Sequence, residues 1–255
     1  MIHAAERLVL RTADGLRLDG IHLPAVDPGA DGVIVLAHGF SGSWRSRRAR
    51  GIAAILRRRA AVLSFDFRGH GRSEGYSTVG DREVLDLTAA VSWARRRGHR
   101  WIGVAGFSMG AAIAVRHAAL CGGVDALAAV SGPAHWYYKG TSAMRRVHLA
   151  IETPAGRLVS RWALGTRVSG DGWPQPPATP EQCAAQLGPT PLLVVHGDAD
   201  RYFPLRHGLA VFDAAAGPRR LWIEPGMGHA ESATTPDLAH RLAGWLHTAA
   251  TVGGV

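Results

Sequence analysis

Short apolar runs and helically spaced segments take turns along this sequence, and that alternation leaves few folds open. Residues 33–36, 61–65, 101–105, 124–130, 192–195 and 219–223 are short and rich in aliphatic residues, as strands covered on both faces are. Between them, residues 45–59 set Ile52, Ile55 and Leu56 on one face, and residues 81–97 set Val84, Leu87, Val91 and Ala94 at helical spacing. Residues 111–120, 205–215 and 237–248 read as helices too. Ahead of these lie two strands, 8–11 and 16–23, around an Ala13-Asp14-Gly15 turn. Such a series predicts an α/β fold: a mostly parallel central sheet flanked by helices on both faces. Reactive groups in such sheets gather at the carboxyl ends of the strands.

The composition agrees. With 255 residues, 47% of them hydrophobic and 19% charged, the chain can bury a sizeable core and is no disordered polymer. The net charge of +9 is carried almost wholly by arginine, Lys139 being the single lysine. The runs Arg57-Arg58-Arg59 and Arg95-Arg96-Arg97 each close a helical stretch, where cations offset the negative helix end. No nucleic-acid motif accompanies them, so no nucleic-acid partner is expected. Cys121 and Cys183 make neither a disulfide framework nor a zinc spacing and read as free thiols of a cytosolic protein, with no metal and no cofactor. The opening MIHAAERLVL lacks the pattern of a secretory signal. The longest nearly apolar stretch, 102–115, contains a serine and three glycines and is too short to span a bilayer. Cytoplasmic location without stable membrane insertion is the expectation.

One segment breaks the rhythm. Residues 133–189 contain no strand pattern; they open on Trp136-Tyr137-Tyr138, continue with helical spacing at Met144, Val147, His148 and Ile151 and then Leu158, Val159 and Trp162, and end in the extended Trp173-Pro174-Gln175-Pro176-Pro177. We read this as a mainly helical cap inserted into a core formed by 1–132 and 190–255. The tail 249–255 reads as frayed. Arg145, Arg146, Arg157 and Arg161 beside the apolar stripes of the insertion read as a solvated face over a buried one.

The chemistry centres on Gly106-Phe107-Ser108-Met109-Gly110, which follows a strand and opens a helix, the context of a nucleophile elbow. The turn must be so sharp that only glycine fits at positions 106 and 110. Two later strand ends supply partners: His196-Gly197-Asp198-Ala199-Asp200 brings acids, and Gly226-Met227-Gly228-His229 an imidazole. A serine is a weak nucleophile until an adjacent base takes its proton, and the base needs a carboxylate to fix its tautomer. Ser108 and His229 fit the first two roles, and Asp198 and Asp200 compete for the third. His38, His70 and His196, and Asp66 with them, read as groups that order their loops.

These motifs and their order Ser, Asp, His resemble the α/β-hydrolase superfamily over essentially the whole chain outside the insertion. Residues 65–75, Phe-Asp-Phe-Arg-Gly-His-Gly-Arg-Ser-Glu-Gly, resemble the corresponding loop of small microbial serine esterases and monoacylglycerol-lipase-like hydrolases. That loop takes no catalytic role and reads as a tight surface turn. The HGxxD spacing of the family selects Asp200, leaving Asp198 to the loop. His38-Gly39-Phe40 stands where the family places its first oxyanion donor, which implies the N–H groups of Phe40 and Met109 as the oxyanion hole. The HGGG run of the lipase branch is absent. The resemblance implies a cofactor-free serine hydrolase acting on a small-molecule acyl ester. Within the insertion, Trp136 and Tyr137 and the stripe residues Met144 and Ile151 are the substrate-binding candidates, and the aromatics fit equally well as anchors that hold the cap by burial. Thioesterase, amidase or peptidase and acyltransferase chemistry fit the same residues, and a non-catalytic ligand receptor is the reading from another class.

Overall fold

The computed structural model describes residues 4–252; the first three residues of the opening segment and the last three of the tail lie outside them. Eight strands form one sheet: β1 (Glu6–Arg11), β2 (Arg17–Leu23), β3 (Val33–Ala37), β4 (Ala61–Phe65), β5 (Ile102–Phe107), β6 (Ala126–Val130), β7 (Leu192–Gly197) and β8 (Arg219–Glu224). Their order across the sheet is β1-β2-β4-β3-β5-β6-β7-β8. The β1–β2 and β2–β4 pairs are antiparallel and every other pair is parallel.

The five strands from β4 to β7 are buried at every residue, which is why they read as unbroken apolar runs. Successive side chains point to opposite faces. Val33 and Val35 pack into one core with helices α2 (Glu83–Arg96), α3 (Met109–Leu120) and α7 (Arg206–Ala214), through Leu87, Ile113 and Val211. Ile34 and Leu36 pack into the other, with Ile52 and Leu56 of α1 (Arg47–Leu56) and Leu242 and Leu246 of α9 (Pro236–Val252).

Between β6 and β7 the chain makes α4 (Ser142–Glu152), α5 (Pro154–Ala163) and the short α6 (Pro180–Ala184). Thr141 and Thr153 cap the first two, and Pro154 sits at the start of α5 where its missing N–H costs nothing. A last short helix, α8 (Ala230–Ala233), precedes α9.

Three expectations are corrected. The tail does not fray at 249: α9 holds through Val252, with Ala249 buried against the second core. The loop after β4 is not a surface turn. Phe67, Arg68, His70 and Ser73 are all buried, because the Arg68 guanidinium is neutralised from two sides, by Asp86 of α2 at 2.7 Å and Asp14 of the β1–β2 turn at 2.8 Å. Both carboxylates lie far from it in sequence. Finally, the apolar stripe of α5 is not covered: Leu158, Val159 and Trp162 face outward, because α5 packs on α4 through its small residues instead.

Candidate active site

Ser108 stands between β5 and α3 with φ 52° and ψ −116°, a strained conformation for a residue with a side chain. The flanking glycines are a steric requirement. A Cβ at Gly106 would lie 2.6 Å from the Gly110 carbonyl oxygen, and one at Gly110 would lie 2.3 Å from that of Ala37. Strand β3, strand β5 and helix α3 therefore approach so closely that Ser108 is pushed up at the sheet's carboxyl edge.

His229 is the residue before α8, and its Nε2 lies 2.9 Å from Ser108 Oγ. Its Nδ1 lies 2.8 Å from Asp200 Oδ2. The other Asp200 oxygen, Oδ1, accepts the backbone N–H groups of Tyr202 at 2.8 Å and Phe203 at 3.1 Å. The carboxylate side chain is fully buried, and the Tyr202 ring stacks on the imidazole at 4.4 Å. Asp198 is elsewhere: it accepts the Gly226 N–H at 2.7 Å on the exposed side and pins the loop that leads to His229.

The Phe40 and Met109 N–H groups donate to no protein atom among the described residues. Met109 opens α3, so its N–H is one of the helix's unpaired donors, at the positive end of the helix dipole. Gly39 is different, because its N–H donates to Glu231 Oε1 at 2.7 Å. Burial pushes the Glu231 carboxyl upward, and the Gly39 hydrogen bond pulls it partly back. Glu231 was not picked out in the sequence. It stands two residues after His229, so it ties the loop carrying the imidazole to the loop carrying Phe40, and an acid that close to the histidine was the one available signal.

The remaining histidines near the site are engaged by backbone. His38 accepts the Phe67 N–H at Nε2, 3.0 Å away, and its Nδ1 lies 2.7 Å from the Gly39 carbonyl oxygen; burial lowers it to about 4. His196 Nε2 lies 2.8 Å from the Phe203 carbonyl oxygen, which fixes the turn that aims Asp200.

Ser108, Met109, Phe40 and His229 open onto a cavity of about 750 Å³. Trp136, Tyr137, Met144 and Ile151 all line it. They do so differently. Met144 is buried, whereas Tyr137 sits at the rim with Lys139 over its ring at 4.8 Å. Trp136 also anchors the excursion, donating from Nε1 to the Ala178 carbonyl oxygen at 2.9 Å and filling the space over Gly80. Val147, Val168 and Trp173 extend the apolar wall, and Arg48, Arg146 and Glu231 place charge around it.

Backbone strain gathers at this cavity and beside it. Among the described residues, five that are not glycine have φ near +50° to +60°: Ser41, Val79, Ser108, Ser131 and Ala230. The first three line the cavity, and the last two are joined by the Ala230 N–H donating to Ser131 Oγ at 3.1 Å.

Comparison with known proteins agrees with the architecture. The esterase Pf2001 of Pyrococcus furiosus superposes with a TM-score of 0.75 at 25% identity, over 95% of this chain and 92% of that one. Est1E of Butyrivibrio proteoclasticus, solved with ferulic acid bound, shares the fold at a TM-score of 0.67 and 20% identity, over 94% of this chain and 97% of that one. An uncharacterized protein of Mycobacterium tuberculosis is 28% identical over 232 residues, 90% of this chain and 74% of its own length. The uncharacterized protein YfhR of Escherichia coli is 26% identical over 235 residues, 90% of this chain and 75% of its own. Residues 28–180 match the family described as serine aminopeptidase, S33. By that match and by its sheet, the chain belongs to the serine aminopeptidase S33 family of α/β-hydrolases.

Proposed function

We propose that the protein is a serine hydrolase that cleaves carboxylic esters through an acyl-enzyme, with Ser108 as nucleophile, His229 as base and acid, and Asp200 as the carboxylate that orients His229. The observation that carries this reading is the hydrogen-bonded series from Asp200 through His229 to Ser108, at 2.8 and 2.9 Å, beside two unengaged peptide N–H groups. Ser108 Oγ attacks the ester carbonyl carbon while His229 Nε2 takes its proton. Negative charge grows on the carbonyl oxygen, where the Phe40 and Met109 N–H groups receive it; one such donor is worth about 3–4 kcal/mol in the transition state. Collapse expels the alcohol, which takes the proton from His229. A water molecule, deprotonated by the same imidazole, then releases the acid. The excursion over residues 133–189 acts as a cap whose apolar wall of Met144, Val147 and Ile151 receives the acyl or alcohol chain.

An aminopeptidase reading on the same residues is favoured by the family's description and by Glu231, a carboxylate lining the cavity that could receive a substrate ammonium. A panel of p-nitrophenyl esters and aminoacyl anilides separates the two. A fluorophosphonate probe tests the shared core: one label is expected, on the peptide containing Ser108, and Ser108→Ala should abolish both label and turnover. A label on another residue, with turnover intact in Ser108→Ala, would remove the reading.

A further inference from the structure

Helix α5 is turned with its small residues in and its large ones out. Gly156 faces α4 so closely that a Cβ there would lie 2.0 Å from the Leu149 carbonyl oxygen, and buried Ser160 donates to the Ala150 carbonyl oxygen at 3.3 Å. The opposite face carries Leu158, Val159 and Trp162, exposed to 57%, 58% and 74%. Leu149 of α4 and Leu164 at the end of α5 add to the uncovered apolar surface, and Leu164 also lines the cavity. Around this patch the charge is one-sided. Arg145 and Arg146 of α4 and Arg161 of α5 are exposed cations with no acidic partner among the described residues, whereas the one acid of the two helices, Glu152, is already held by Lys139 and His148. Arg161 lies over the Trp162 ring at 5.5 Å.

Large exposed apolar patches mark interaction sites. An apolar centre of leucine and tryptophan flanked by arginines is the complement of a bilayer surface bearing anionic headgroups: the apolar side chains enter the headgroup boundary and the arginines stay at the phosphates. A second copy of the chain fits poorly, because it would bring two cationic faces together. We propose that the α4–α5 hairpin is a docking face for anionic lipid bilayers. No helix of the described residues is long and apolar enough to cross a membrane, so this is attachment at the surface. Docking rests on the surface alone; its use, loading a membrane-dissolved ester into the cavity past Leu164, rests on the esterase reading.

Flotation of the full chain with vesicles of phosphatidylcholine containing a quarter phosphatidylglycerol, against pure phosphatidylcholine, tests it. Binding to the mixed vesicles that weakens in high salt is expected. Leu158→Ser with Trp162→Ser should lower the bound-to-free ratio about tenfold or more. Arg145→Gln and Arg161→Gln should lower it about fivefold each. Neither pair lines the cavity, so thermal midpoint and turnover of a soluble short ester should be unchanged. Absence of wild-type binding to the mixed vesicles, or binding undiminished in the Leu158/Trp162 variant, overturns the proposal. So does light scattering that shows this variant converting a dimer to a monomer, which would give the face to a second copy. Vesicle binding without turnover of any ester would uphold docking and remove the esterase reading.

Discussion

Replacing Asp200 by asparagine probes the proposed chemistry with almost no change of shape, and the structure says which way the amide must point. Asp200 Oδ1 accepts two backbone N–H groups, from Tyr202 and Phe203, so the asparagine oxygen has to take that position. Its NH2 group then faces His229 Nδ1 in place of Oδ2, 2.8 Å away. The imidazole must accept there and carry its proton on Nε2, the atom that should take the proton of Ser108. In triads of this kind the wrong tautomer costs about 10⁴-fold in kcat. Escape by flipping the amide leaves two backbone donors facing NH2, at about 1–3 kcal/mol each, or roughly 2–6 kcal/mol. At about 1.4 kcal/mol per tenfold, the loss falls between roughly 30-fold and 10⁴-fold. Asp198→Asn, which touches only the Gly226 N–H, should stay within a few-fold of wild type. Steady-state hydrolysis of p-nitrophenyl acetate, with thermal midpoints to show that both variants fold, reads the difference. An Asp200→Asn enzyme within threefold of wild type, or a larger loss in Asp198→Asn, would refute the assignment of the carboxylate.

Two further predictions concern the cavity and the core. Ile151→Ala shortens the apolar wall and should lower kcat/KM for a decanoate ester about tenfold while leaving the acetate nearly untouched; a uniform drop along an acetate-to-decanoate series would exclude this wall as the chain-binding surface. His117 is buried in α3 with neither ring nitrogen bonded to protein, and burial lowers it to about 4 from 6.5. Because the folded value lies below the unfolded one, the stability tied to its neutral form is complete above pH 6.5 and drains away as pH falls towards 4. His117→Leu should therefore stabilise the protein, and its advantage should grow by about 2 kcal/mol between pH 7.5 and pH 5. Urea unfolding at the two pH values checks this, and an advantage that does not change with pH would contradict it.

Much of the frame was legible because its signals are local. An unbroken run of β-branched and aliphatic residues such as Val33–Ala37 reads as a strand covered on both sides, and the glycines at 106 and 110 announce a close crossing before any contact is known. What escaped depends on residues distant in sequence. The loop after β4 looks like a surface turn until Asp14 and Asp86 are seen to neutralise Arg68 and let it sink. Nothing local says that α5 turns its leucines outward, since that follows from the fit of Gly156 and Ser160 on α4. Helix α6 is the opposite case: Thr179, Pro180 and Gln182 spell a capping box that is readable in the sequence, just past the extended run 173–177. The order of the strands, with β4 between β2 and β3, has no signature in the chain at all.

The left-handed residues around the cavity bear on how this protein could be hardened. Residues held in such conformations cost of order 1–3 kcal/mol each, and here they stand around the cavity rather than in the sheet. Selection for heat resistance alone would find glycine at Ser41, Val79 or Ser108 an easy gain, since glycine relaxes the backbone there. At Ser108 that gain removes the proposed nucleophile. A thermostability screen run without an activity gate would thus collect Ser108 variants that are durable and silent, whereas improvements sought in the two cores or at His117 would leave the reacting edge alone.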